Sequence, residues 1–338
     1  MSALAQTYRP TEVIVVDDGS TDCSRDVIER YRDRVDTVFK NNGGQASAIN
    51  AGFARSHGDV IMFLDSDDVL RPDIGACIVE KFLDQPDLGK VEFRMRVIDG
   101  DGRPTGAMKP ADHLPRPQGD LRQMELQAPF EILWMSTTAN AFSRRVLDQM
   151  LPIPESAYPV CGADWYLAHV SPFLGPVLFL ENIGASYRVH GANLYVSDSL
   201  NLTQIRQSIS FMGVTSAYIQ SAAERTGVIS GPSRPDLILS FSQIANRMIS
   251  LALDPARHPL ATDTRISLLQ LGRVALRRRQ DVSPLVKTAL FLWLFTIAVA
   301  PRPLARNLAE QFLVPERRPA FINAALAAVH RRHRRSAA

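Results

Sequence analysis

Two short apolar runs in the first seventy residues each end in a knot of carboxylates. Glu12–Val16 (EVIVV) leads into Asp17-Asp18-Gly19-Ser20, and Val60–Leu64 (VIMFL) leads into Asp65-Ser66-Asp67-Asp68. Runs of this length, rich in β-branched residues and flanked by turn residues, read as buried strands. The stretches around them carry helix signals. Asp22 is placed to cap a helix to about Arg34, Gln45–Ser56 is helical and rich in Ala, and Pro72 opens a helix over Asp73–Asp84. Alternation of this kind implies parallel βαβ units. In open α/β sheets ligands bind beyond the carboxyl ends of the strands. Both acidic knots lie at such ends.

Three carboxylates within four positions repel one another and raise each other's pKa. A polar loop with Asp68 as a helix cap accounts for one or two of them, not for three after a hydrophobic strand. A divalent cation accounts for all three. Mg²⁺ and Mn²⁺ take oxygen ligands, one or two of them carboxylates and others from phosphate, and the ion keeps the carboxylates charged. The first knot is also good turn chemistry, with Asp22 as an N-cap. A third element, NNGGQASAINAGFARSHGD at 41–59, sets Gly43 and Gly44 at a helix N-terminus, which favours anions.

Further along, Val91–Asp99 alternates like a strand, while residues 99–120 are rich in Gly, Pro and Asp and read as a long loop. Trp134–Phe142 reads as mostly extended, Arg144–Met150 and Gly162–Val170 as short helices, and Val177–Leu180 and Ser186–His190 as two last strands. After about residue 200 the texture changes to amphipathic helices, in 200–226, 236–253, 263–279, 284–300, 302–312 and 318–335. The expected domains are therefore 1–198 and 199–338. The longest apolar run, Ala289–Ala300, is closed by Pro301. A membrane span needs about 20 such residues, so this is a core or an interfacial helix.

Charge divides the same way. Residues 1–200 hold 19 Lys or Arg against 28 Asp or Glu, whereas 201–338 hold 19 against 7. The acidic half suits a cation. The basic half, with Arg277 to Arg279, Arg317-Arg318 and Arg331 to Arg335, suits either an anionic membrane surface or a solvated helical cap. It lacks interleaved aromatics, so nucleic acid is not an expected partner. Cys23, Cys77 and Cys161 have no metal-ligand spacing, and Met1–Pro10 is too polar for a signal peptide. A reduced, cytoplasmic protein is expected, either solvated or in peripheral contact with the inner face of the membrane through its basic helices.

The three elements together resemble the catalytic domain of inverting family 2 glycosyltransferases. The matching lines are VIVVDDGSTD, NNGGQASAINAGFARSHGD and IMFLDSDD, followed by RRVLDQMLPIPE, GADWYLAHV and YRVHGAN. The resemblance spans about residues 3–195. It implies an α/β GT-A fold, a Rossmann-like mixed sheet with helices on both faces, here followed by an α-helical C-terminal region. It implies a nucleotide-sugar donor, a UDP-sugar by family habit, and a glycan, lipid-linked or other hydroxyl acceptor. Asp17 and Asp18 match the pair that contacts nucleobase and ribose, with Gly44 beside them. Asp65-Ser66-Asp67 matches the D-x-D element, with Asp67 as main ligand of Mn²⁺ or Mg²⁺ and Asp65 facing ribose or metal-bound water. Asp164 matches the general base, though the family's common Glu-Asp pair is reduced by Ala163 to one carboxylate. His190 matches a His that approaches metal or diphosphate in some members. Its other reading is a half-buried strand His, and Arg188 reads as a diphosphate contact or, in preference, a strand surface residue.

The resemblance has gaps. The family's domain normally begins with a strand carrying a Pro-x-Tyr-Asn-like element and a helix ending near A-Q-T-Y. Met1–Pro10 starts inside that helix, so the expectation is a start placed too late or a fragment, with weak donor binding and poor stability as written. The processive Q-x-x-R-W pattern is absent, which points to one sugar per encounter. The competing expectation is a catalytically silent GT-A-like module used for binding or assembly.

Overall fold

The computed structural model describes residues 1–112, 114–191, 200–230, 238–280 and 282–313. Strands and helices alternate through the first half. β1 (Ile14–Asp18), α1 (Ser24–Glu29), β2 (Asp36–Lys40), α2 (Gly44–Arg55), β3 (Val60–Met62), β4 (Val69–Leu70) and α3 (Ile74–Asp84) come first. β5 (Lys90–Ile98), β6 (Pro104–Lys109), α4 (Arg122–Gln127), β7 (Asn140–Ser143), α5 (Arg144–Met150), α6 (Ala163–Val170) and β8 (Val177–Arg188) follow. β1 and β2 pair in parallel across α1, with Asp18 opposite Lys40. The other six strands form a mixed sheet in the order β3-β7-β5-β8-β4, with β6 on β5. Of the expected parallel βαβ units, β1–α1–β2 pairs as such; β5 and β8 are parallel neighbours too, with two strands and three helices between them in the chain. β3 differs: it runs antiparallel to β7, Ile61 opposite Phe142.

The sheet's centre is dry. Val91, Phe93 and Met95 of β5 are fully buried and pack with Ile74 and Ile78 of α3. This packing needs a glycine on β8. A Cβ at Gly184 would sit 2.4 Å from the Phe93 ring and 2.6 Å from Ile74.

Two expectations change. The stretch read as a loop over 99–120 contains β6, which makes a hairpin with β5 around Gly102 at φ +87°. Most of β6 is exposed, so it has no apolar alternation to betray it. The two last strands are one, Val177–Arg188, with a register shift opposite Phe93 to Met95. Such an irregularity bends a strand without ending it.

The first compact unit is Met1–Asp112, Arg116–Arg122 and Trp134–His190. Gln123–Leu133 and the described residues beyond His190 belong to a second unit. That unit is helical: α7 (Leu202–Arg225), α8 (Phe241–Leu253), α9 (Arg265–Arg278), α10 (Pro284–Val299) and α11 (Arg302–Leu313). Asn201, Ser240, Thr264 and Ser283 cap the first four through their side chains, satisfying N–H groups that a helix start leaves open. Phe241, Ile244 and Met248 of α8 are buried with Leu268, Leu294, Ile297 and Ala305. Glu131 ties its own segment to this bundle. It accepts from Ser240 Oγ at 3.0 Å and Ser242 N at 2.7 Å, and pairs with Arg279 at 2.8 Å. The helix expected over 318–335 lies outside the described residues, as do Arg317-Arg318 and Arg331 to Arg335.

Candidate active site

The apolar run of β3 continues to Leu64 and stops at Asp65. The Asp65 N–H donates to the buried hydroxyl of Thr138 at 3.0 Å, and the Asp68 N–H donates to the Asp65 carbonyl at 3.1 Å. This tight turn crowds three carboxylates at the sheet's end. β8 meets them from the other side. The Arg188 N–H donates to Asp68 Oδ1 at 3.0 Å, and its Nε to the Asp67 carbonyl at 2.9 Å. Its Nη1 donates to the carbonyls of Asp99 and Gly100. Arg188 is thus a brace for the acidic turn, where a strand surface residue was expected. His190 Nε2 lies 3.0 Å from Asp67 Oδ2.

Asp164 enters the same field from the first turn of α6, where a helix favours negative charge. Gln45 of α2 holds this segment: its Oε1 accepts from Ala163 N at 3.2 Å and its Nε2 donates to Thr137 Oγ1 at 3.1 Å. A cavity of about 10 Å³, bordered by Asp164, Thr137 and Asn140, adjoins the carboxylate. That is about the room one water needs.

Burial dominates the electrostatics. It pushes Asp65 up to about 7, with Asp68, Asp164 and Asp67 adding their repulsion. It also raises Asp68 and Asp164 above the usual carboxylate range. Asp68 Oδ2 is buried with no hydrogen-bond partner among the described residues. Lys109, at the end of β6, sits 3.3 Å from the centre of the Tyr187 ring. Burial pushes its ammonium down to about 8, against the attraction of Asp68, Asp164 and Asp65.

The first acidic knot is built differently. Asp17 is buried, accepting from Ser20 N at 3.0 Å and pairing with Arg25 at 2.8 Å. Hydrogen bonds from Ser20 and Arg25 hold it below the usual range. Burial opposes the charge on Asp18, but Lys40 at 2.5 Å and the N–H groups of Gly43 and Gly44 outweigh it and hold Asp18 low. Gly44 has φ +83°, and a Cβ there would lie 2.3 Å from the Pro159 carbonyl oxygen. The helix N-terminus expected to face an anion thus faces the protein's own Asp18.

Of the residues picked out in the sequence, Asp65, Asp67, Asp164 and His190 fall into one group, with Asp68 alongside. Asp17, Asp18 and Gly44 form another at the end of β1. Sequence reasoning missed Lys109, whose neighbours in the chain carry no pattern. It also missed a buried set under α6: Trp134 Nε1 donates to His169 Nδ1 at 3.2 Å, and the Lys90 ammonium lies 3.7 Å from a Trp134 ring centre and 3.1 Å from Glu92. Among the described residues no three His, Cys, Asp or Glu side chains converge closely enough to hold a metal ion by themselves.

Residues 1–151 match the family model for glycosyl transferase family 2. An uncharacterised glycosyltransferase of Nostoc sp. is 35% identical over 232 residues, 67% of this chain and 70% of the relative. The chain belongs to glycosyltransferase family 2. It is also similar to the poly-beta-1,6-N-acetyl-D-glucosamine synthase of Staphylococcus aureus, 31% identical over 99 residues, 28% of this chain and 24% of that one. In fold it is similar to S. aureus TarS, solved in complex with UDP, with a TM-score of 0.51 and 15% identity over 92% of this chain and 85% of that one. The GT-A mixed α/β fold with a helical C-terminal region is therefore established for this glycosyltransferase. The family match reaches Asp17, Asp18, Gly44, Asp65 and Asp67, while Asp164 and His190 lie beyond it. Among its described residues no helix is long and apolar enough to cross a membrane.

Proposed function

We propose that this glycosyltransferase takes its sugar from a nucleotide-diphosphate donor and passes it, with inversion, to a hydroxyl of a glycan or lipid-linked acceptor. One observation carries the reading: Asp65, Asp67 and Asp68 crowd a single turn at the carboxyl end of β3, with His190 3.0 Å from Asp67, and burial together with the charges of Asp68, Asp164 and Asp67 pushes Asp65 up to about 7. Such crowding is unfavourable until cationic and hydrogen-bonding partners arrive. UDP, which TarS carries, is the first nucleotide to test.

Asp17, Asp18 and Gly44 form the nucleoside end of the site. The buried Asp68 Oδ2, without a partner among the described residues, and the oxygen-rich donor set fit a Mg²⁺ or Mn²⁺ ion, provided the diphosphate completes its shell. Asp67, with His190 against it, would hold that ion, whose chemistry is Lewis-acid stabilisation of the leaving diphosphate. Lys109 adds a positive charge from the protein itself below about pH 8. Asp164 is the base. Its raised pKa suits it to take the proton of the acceptor hydroxyl as that oxygen attacks the anomeric carbon. The new glycosidic bond forms, the bond to the diphosphate oxygen breaks, and the proton rests on Asp164. One displacement inverts the centre.

Asp164→Asn keeps the shape and removes the base. The expected result is a loss of transfer of about 10²–10⁴-fold with UDP affinity unchanged. Full activity in this variant would overturn the assignment. Neither transfer nor donor hydrolysis by the wild-type chain across a panel of nucleotide sugars would favour the silent-module reading.

A further inference from the structure

α10 has two apolar faces. Leu294, Ile297 and Ala298 are buried in the second unit's core. On the other side Leu285, Leu292, Phe295 and Val299 are 80%, 58%, 46% and 62% exposed. At about 100° per residue these four fall within an arc of about 80°, roughly opposite the buried three. Single exposed apolar residues need no explanation, but a continuous stripe does. α9 packs against α10 and turns Ile266, Arg273 and Arg277 outward along a stripe of its own. Residues 265–313 hold eight Lys or Arg against two Asp or Glu.

We propose that the open stripe of α10 seats this enzyme on an anionic lipid bilayer. Its Leu, Phe and Val side chains enter the boundary between headgroups and acyl chains, and arginines of α9 and α11 meet the lipid phosphates. Charge selects this occupant. A second copy would bring the same excess of Lys and Arg over residues 265–313 to the contact. Residues 314–338 of the chain, with six Arg and one Glu, carry the same sign. An acidic protein or nucleic acid would match the charge and leave the apolar stripe unanswered, whereas an anionic bilayer answers both. The helix lies on the bilayer rather than across it: sixteen residues span about 24 Å, short of the roughly 30 Å hydrocarbon core. This inference goes beyond the transfer reaction and stands independently of the donor site.

The test is co-sedimentation of the full chain with phosphatidylcholine vesicles, with and without phosphatidylglycerol. Binding only to the anionic vesicles is expected, weakening as salt rises. Leu292→Glu with Phe295→Glu should lower partitioning at least about tenfold while the melting temperature holds, because both side chains are exposed. Arg273→Gln with Arg277→Gln should flatten the salt dependence. Three results would overturn the proposal. One is equal vesicle binding by wild type and the double-Glu variant. Another is a wild-type dimer that the double-Glu variant loses, without vesicle binding. The third is binding to a soluble polyanion with none to anionic vesicles.

Discussion

Asp65 carries the strongest conflict at the site. Its carboxyl titrates at about 7 in the fold against an ordinary 3.8, first because it is buried and then because Asp68, Asp164 and Asp67 surround it. Between those two values the folded protein keeps a proton that the unfolded chain has released. The stability this group contributes is whole below about pH 4 and lost as the pH rises through about 7. Asp68 and Asp164 push in the same direction. The donor-free enzyme should therefore melt lower at about pH 8 than at about pH 5, and Asp65→Asn should shrink that difference by up to a few kcal/mol. A melting temperature that rises over this range would contradict the burial of these carboxylates. At this scale the sequence was informative where chemistry was dense. Three Asp after an apolar strand demand a counter-charge whatever the fold. Lys109 was not legible, because its meaning comes from Tyr187 and Asp68, far from it in the chain and brought near by the hairpin.

At the level of elements, the glycine that opens α2 does more than its place at a helix N-terminus suggested. Gly44 combines a left-handed backbone with a close approach to Pro159. Gly106 has a nearly identical φ, +84°, with nothing within 4 Å of its would-be Cβ. The pair separates backbone strain from collision. Gly106→Ala should cost about 1 kcal/mol, and Gly44→Ala at least about 2 kcal/mol more, read by chemical denaturation. Equal costs would mean that the segment at Pro159 yields easily. Periodicity located β1, α2, α3 and α7 to α11 well, because each buries one regular face or stripe and has clear turn or capping signals. It failed at β6, an exposed edge strand without alternation, and split β8 where the polar pair Glu181-Asn182 interrupts an apolar strand. Ala289–Ala300 could be read from sequence as core or interfacial. The structure gives α10 one buried face and one open face, a division that uniform apolarity hides.

The whole molecule joins an acidic α/β unit to a basic helical one, and the charge split was plain in the sequence. The place of Gln123–Leu133 in the second unit was not, since its partners, such as Ser240, Ser242 and Arg279 around Glu131, lie more than a hundred residues away. The family match and the fold agree on a glycosyltransferase, and the account rests on the acidic turn being a donor site. Calorimetric titration of UDP with and without Mn²⁺, into wild type and into Asp67→Ala, tests this most directly. The account predicts that wild type binds UDP more tightly with Mn²⁺ and that Asp67→Ala removes the metal's contribution. UDP binding that ignores both Mn²⁺ and the loss of Asp67, or no binding under any of these conditions, would contradict it.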